Sequence, residues 1–368
     1  MNYPLQEAIE SYNFGEELLI TMVGDIGYGI AMEAGEDGNT NNTDSNNSNT
    51  STTNTNSSEP KNTGTDNNDP NKLTGKSGAE IGANLAEKIK KLIAFIADLI
   101  SKALANFKGK LQYALSGKKQ FENKVRELEK TKKPRVDQVT KKFRNYDFNI
   151  VSKAITTLKQ MYNEYKADLF DVTQGYSKVL KNIMNPENFN NQTKTIMDKD
   201  LHKNAAKYMA SKLGSEFNNV ESFGQLCKAI QCKHRGMKID ISGADDKAST
   251  DNSNKSEEDN GAGAKSQLIT SRVFNDARAF IRDYATKMDA SRVLLDQMNN
   301  DHKTWKSSAN TMASSMNETN KELRSSSKAV QQIGKGLNFF TSFINFATAL
   351  IIEQATQSMK IIEACYGE

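Results

Sequence analysis

The chain has 368 residues, 36% of them hydrophobic, a net charge of +4 and a mean hydropathy of −0.68. These values are low for one compact globule of that length, so part of the chain is expected to lie outside any core. Three cysteines (Cys227, Cys232, Cys365) are too few for a disulfide framework, and the first 33 residues hold no Lys or Arg to begin an export signal, which points to synthesis in a reducing cytoplasm.

The small net charge conceals a division. Residues 1–33 carry six acids and no base, whereas 88–144 carry seventeen bases and five acids. Losing the first 33 residues would therefore take the chain from +4 to +10.

In chain order, residues 1–35 read as a short apolar and acidic segment. Residues 36–78 are almost entirely Asn, Thr, Ser, Asp, Gly and Lys, with nothing to bury against the entropy of ordering, and read as a disordered tether. A basic helical region, 79–241, follows. Ile81, Leu85, Ile89, Leu92, Ile93, Ile96, Leu99, Ile100, Leu104, Phe107, Leu111 and Leu115 recur mostly at spacings of three and four, with Lys88, Lys90, Lys91 and Lys102 between them. That is a long amphipathic helix, and a strongly charged run follows it that Pro134 ends. A second helical face runs from Ile150 to Phe170, and shorter helices are expected at 174–184, 197–213 and 221–232. Residues 242–266 repeat the tether's chemistry and mark a domain boundary or a long insertion at a loop tip. The C-terminal region, 267–368, reads as a polar helix or helix pair over 268–331 and a more apolar helix over 333–364. Trp305, Met312, Met316 and Leu323 make a thin seam expected to pack against the first helical region. Five prolines and no alternating run leave little room for a sheet. The fold class is mostly α: an elongated helical bundle of long amphipathic helices with two disordered low-complexity segments.

Motifs of chemistry are sparse. Cys227, Cys232 and His234 form C-x4-C-x-H, but no second ligand pair accompanies them, and burial at a helix end is the plainer reading. His202 and His302 stand singly in polar helical sequence with no nucleophile motif nearby. The reading is of a protein that is not an enzyme and takes no cofactor or metal.

The +12 balance over 88–144 exceeds what solvating a helix needs. The cations expected to meet a polyanion are Lys88, Lys90, Lys91, Lys118, Lys119, Lys132, Lys133 and Arg135. With few aromatics among them, nonspecific contact with DNA phosphates is the expectation. A membrane surface is the alternative: KIKKLIAFIADLISKALANFKGK suits an interfacial helix, and LNFFTSFINFATALII is uncharged over 16 residues. Its Asn338, Thr341, Ser342, Asn345 and Thr348 favour a buried bundle helix over a spanning one.

The layout, an acidic apolar leader ending in AMEAGE (31–36), a low-complexity tract, the cationic helix and a Lys-rich helix after it, resembles internal head proteins of large tailed bacteriophages. The resemblance spans residues 1–145. It implies a virion structural protein made in the host cytoplasm, whose leader targets the assembling prohead and is removed by the prohead protease after a small residue, any residue, then Glu. Ala31, Met32 and Glu33 are similar to such a site, and Ala8-Ile9-Glu10, Ala34-Gly35-Glu36 and Ser57-Ser58-Glu59 fit the same pattern. Implied partners are phage head or other virion proteins, the protease and packaged DNA, with oligomers allowed. The second function class is a membrane-active helical protein, of pore-former or secreted-effector type, inserting helices 79–115 and 333–364.

Overall fold

The computed structural model describes residues 4–17, 19, 78–242, 265–314 and 320–367. The expectations for most of 36–78 and 242–266 lie outside these residues. Gly78 does open a helix, and Lys265 and Ser266 belong to a strand.

The architecture is helical. Helix α1 covers residues 4–17. Helix α2 (Gly78–Thr131) runs 54 residues without a break, about 80 Å of continuous helix. It ends two residues before the Lys133-Pro134 pair, because proline disfavours helical backbone in the residue before it. Strand β1 (Thr140–Phe143) leads to α3 (Phe148–Leu180), then α4 (Pro186–Met197), α5 (Asp200–Lys203), α6 (Ala205–Leu213), a 3-10 turn (Ser215–Phe217) and α7 (Phe223–His234). Strand β2 (Lys265–Leu268), α8 (Ser271–Arg282), α9 (Tyr284–Ser314) and α10 (Asn320–Tyr366) complete the chain.

Boundaries follow local chemistry where caps are present. Asp147, Asn185, Asn204, Ser222 and Thr270 each turn a side-chain oxygen onto an amide of the helix they precede, and Pro186 adds its fixed φ at the first position of α4. The helix expected over 197–213 is thereby divided, since Asn204 ends α5 and caps α6. The separate helix expected from 174 is the end of α3. Gly175 costs about 1 kcal/mol of helix propensity, but the ring of Phe189 packs over it and against Tyr176, with ring centroids 5.7 Å apart.

The one sheet among the described residues is a two-stranded antiparallel ribbon, Thr140 opposite Leu268 and Phe143 opposite Lys265. Its sequence, TKKF with KSQL, has no alternation to announce it. The ribbon joins the two sides of the 242–266 segment, and both regions feed one hydrophobic core.

Helix α10 lies at the centre of that core, against α2, α3, α4, α7, α8 and α9. Phe340, Phe343, Ile344, Leu350, Ile351, Ala355 and Ile362 are fully buried. Some of its polar residues bond locally: Thr341 Oγ1 donates to the Leu337 carbonyl (2.9 Å) and Asn345 Nδ2 to the Thr341 carbonyl (3.0 Å), while Asn345 Oδ1, Thr348 Oγ1 and Gln354 Oε1 are buried without a hydrogen-bond partner among the described residues. Gly336 allows the closest approach, because a Cβ there would overlap the Tyr165 ring, whose hydroxyl donates to the Ile333 carbonyl at 2.6 Å. Helix α9 packs along α2 and α3 with Trp305 and Ala309 buried; of the expected seam this reaches Trp305 alone, because the side chains of Met312 and Leu323 and all of Met316 lie outside the described residues.

Candidate functional site

The basic block wraps the C-terminal end of α10. Lys124 on α2 pairs with Glu363 (2.6 Å). Lys132 Nζ donates to the Gly367 carbonyl at 2.6 Å, the Arg135 guanidinium lies against Gly367, and the Arg135 amide donates to the Cys365 carbonyl at 2.7 Å. The chain then turns back along α10, where Lys141 Nζ reaches the Lys360 carbonyl at 3.3 Å. The last carbonyls of a helix carry partial negative charge and lack intrahelical donors, so cations collect there for a structural reason. Part of the positive charge of 88–144 thus serves the fold.

Another part is left over. The side chains of Lys119, Lys130, Lys133 and Lys142 are exposed and have no hydrogen-bond or ion-pair partner among the described residues. Lys119 and Lys130 stand on α2, and Lys133 and Lys142 on the collar after it that Lys132 and Arg135 anchor. A groove of about 500 Å3 continues from it between α8 and α10, lined by Arg144, Tyr146, Arg272 and Gln357 among others. Of the other cations expected to meet a polyanion, Lys91 is exposed but paired with Glu87 at 3.1 Å. Lys88, Lys90 and Lys118 lie on α2 with side chains outside the description. Lys132 and Arg135 are exposed and at the same time bond to or pack on the end of α10, which spacing along the sequence did not foretell.

The N-terminal segment packs on the body as far as it is described. On α1, Ala8 is buried, as is Leu19 just beyond it. Tyr12 stacks on Phe223 of α7 with centroids 4.2 Å apart, and its carbonyl accepts from Asn338 Nδ2 at 2.9 Å. Gly15 permits this approach, since a Cβ there would collide with Asn338. Acids of α1 meet bases of the body: Glu7 pairs with Lys110, and Glu16 with Lys335 at 3.5 Å. Ala31, Met32 and Glu33 lie outside the described residues.

The C-x4-C-x-H residues are all buried on α7 and diverge. Cys227 is in the core, and the His234 Nδ1 sits 3.0 Å from the Asp147 carbonyl with its ring beside Tyr146. Among the described residues no three His, Cys, Asp or Glu side chains form a metal-binding group. The other two histidines, read as residues of polar helices, are buried as well. His202 Nε2 lies 3.0 Å from Asp168 Oδ2, and His302 Nε2 lies 3.1 Å from the Ala97 carbonyl. Burial pushes all three imidazoles below their ordinary pKa, and for His202 it outweighs the upward pull of Asp168.

Sequence reasoning missed three buried polar groupings: Asp168 with Lys199 and His202; Asp301 with Tyr162 and Lys166; and Glu353 with Tyr146 and Arg235. Each joins residues from separate helices, at sequence distances that no motif spans.

Comparison with protein families, curated proteins and solved structures finds no match to this chain.

Proposed function

We propose that the protein is a non-enzymatic structural protein of a phage virion, internal to the head, which holds packaged DNA through nonspecific charge contacts. The observation that carries the DNA contact is the set of unpartnered, exposed Lys119, Lys130, Lys133 and Lys142 on α2 and the collar that follows it. Preplaced cations of this kind release counterions when they meet phosphates and need no base-specific geometry. The virion assignment rests on the layout of residues 1–145, with removal of the N-terminal segment after Glu33 by a prohead protease as part of the same proposal.

The docking of α1 gives that removal a physical consequence. Its Glu7–Lys110 pair is largely exposed and worth under about 1 kcal/mol, so its binding leans on the half-buried Glu16–Lys335 pair, on a few apolar contacts and on its covalent attachment. Covalent attachment holds a docked segment at an effective concentration on the order of millimolar. Once cut, α1 would dock only as a free peptide, and its departure would add Lys110 and Lys335 to the exposed cations.

The test is DNA binding across a salt series with unrelated duplexes. Affinity is expected to fall steeply and equally for all, with a slope of about −0.9 per phosphate neutralised. The fourfold variant K119Q/K130Q/K133Q/K142Q should bind more weakly with a flatter slope. An unchanged slope would mean that these lysines only solvate the surface.

The membrane-active alternative draws on residues Gln331–Tyr366, which by length and composition suffice to cross a bilayer. That stretch is 72% buried over its most apolar window, and the apolar face of α2 packs on α9 and α10, so both carriers of the reading are occupied in this fold. Liposome leakage at neutral pH by the purified protein would restore it.

A further inference from the structure

A cavity of about 330 Å3 lies between α1, the α5–α6 junction, the start of α7 and α10. Two helices begin at its wall. Asn204 caps α6 and Ser222 caps α7, each accepting from the third amide of its helix, so the positive ends of two helix dipoles face the same space. Lys203 and Lys335 add two cationic side chains to the lining, against two acidic ones, Glu16 and Glu221; Lys203 Nζ lies 4.0 Å from Asp198 and Lys335 Nζ 3.5 Å from Glu16.

Within this lining stand two acceptors with no donor. The His202 side chain is 2% exposed, and its Nε2 is turned away from the cavity toward Asp168, whose other oxygen accepts from Lys199 Nζ at 2.6 Å. A carboxylate so engaged only accepts, so Nε2 carries the proton and Nδ1 presents a bare lone pair. Nδ1 is buried and has no partner, and so is Oε1 of Glu16, whose other oxygen faces Lys335. Leaving such groups unsatisfied costs about 1–3 kcal/mol each.

The geometry points to a protonated phosphate as the ligand of this cavity: anionic oxygens directed at the two helix ends, Lys203 and Lys335, and P–O–H groups donated to His202 Nδ1 and Glu16 Oε1. Inorganic phosphate keeps at least one P–O–H at neutral pH. Sulfate and the phosphodiesters of DNA have none, so either would meet the two lone pairs without a proton to offer. This site is therefore separate from the basic collar, and the inference stands whether or not the collar binds DNA.

The test is thermal unfolding of the full chain at pH 7 in phosphate, in sulfate and in chloride at matched ionic strength. Phosphate at about 10 mM is expected to raise Tm by a few degrees over chloride, and sulfate to leave it unchanged. Lys335→Met and, separately, the more exposed Lys203→Met should each reduce the phosphate shift, with circular dichroism confirming native helix content. Titration calorimetry with phosphate supplies the affinity directly. Glycerol phosphate, most of which has lost its last P–O–H at pH 7, checks the donor: a smaller shift than with inorganic phosphate is expected, and an equal one would overturn the assignment of P–O–H donation to His202 and Glu16. Equal shifts in phosphate and sulfate, or none in either, would overturn the proposal and leave a cavity that holds only water.

Discussion

Helices α2 and α10 are the two longest in the protein, at 54 and 47 residues, and they solve opposite problems. Along α2, Ile93, Ile96, Ile100, Leu104, Phe107 and Leu111 are buried while the residues between them are mostly exposed. One stripe meets the bundle, and the opposite face is left for solvent, ions and partners. From Ile333 onward α10 is buried on nearly every side, so its Asn, Thr and Ser side chains can find partners only inside the protein: Asn338 does so on α1 and Thr341 and Asn345 Nδ2 on the helix's own backbone, while Thr348 Oγ1 is left without one among the described residues. The first helix carries surface chemistry because only part of it is needed for stability. The second carries stability and has little surface to offer.

The largest effect that tests this contrast is a core truncation. Phe343→Ala should cost about 3–5 kcal/mol through lost burial and a cavity, whereas Tyr113→Ala, on the exposed face of α2 at 79% exposure, should stay within about 0.5 kcal/mol. Urea unfolding of both variants measures the difference, and equal losses would break the comparison. Overfilling comes next. Gly336→Ala forces the Tyr165 ring to move and should cost about 1–3 kcal/mol, checked by the same unfolding curves.

Asn338→Ala sharpens the comparison at the point where α10 reaches out. Loss of its bond to the Tyr12 carbonyl should cost about 1 kcal/mol and appear chiefly as faster amide exchange in residues 4–17. An exchange rate unchanged in that segment would mean that α1 is held by other contacts.

Acid provides a further test. The three histidines are buried with pKa values pushed down, so the folded chain binds fewer protons than the unfolded one once pH falls below the ordinary imidazole value of about 6.5. Their contribution is intact above that pH and is lost as pH falls from it toward the lowered folded values. The urea midpoint should drop between pH 7.5 and 5.5, and His302→Gln should flatten the drop. The smallest effect belongs to the exposed face of α2, where Lys119→Gln should leave the midpoint unchanged, since an exposed and unpartnered lysine holds nothing in place.

Residue type and spacing determined a good deal of this protein unaided. The mostly helical class, the apolar stripe of α2 and its end before Pro134, the apolar character of α10 and the concentration of positive charge before residue 145 all follow from local properties: periodicity, proline geometry and charge count, although the reading of a second, Lys-rich helix after 79–115 gives way to one helix. Tertiary structure alone decided the rest. It kept Gly175 helical by packing Phe189 over it, paired the unpatterned segments TKKF and KSQL, and brought Asp168 to His202 and Glu353 to Arg235 across tens to more than a hundred residues. It also divided one run of lysines into those that close the end of α10 and those that face outward. The reason is common to all of these cases. A sequence states what a residue would favour among its neighbours in the chain, whereas burial, hydrogen-bond partners and the field around a charge are set by neighbours in space.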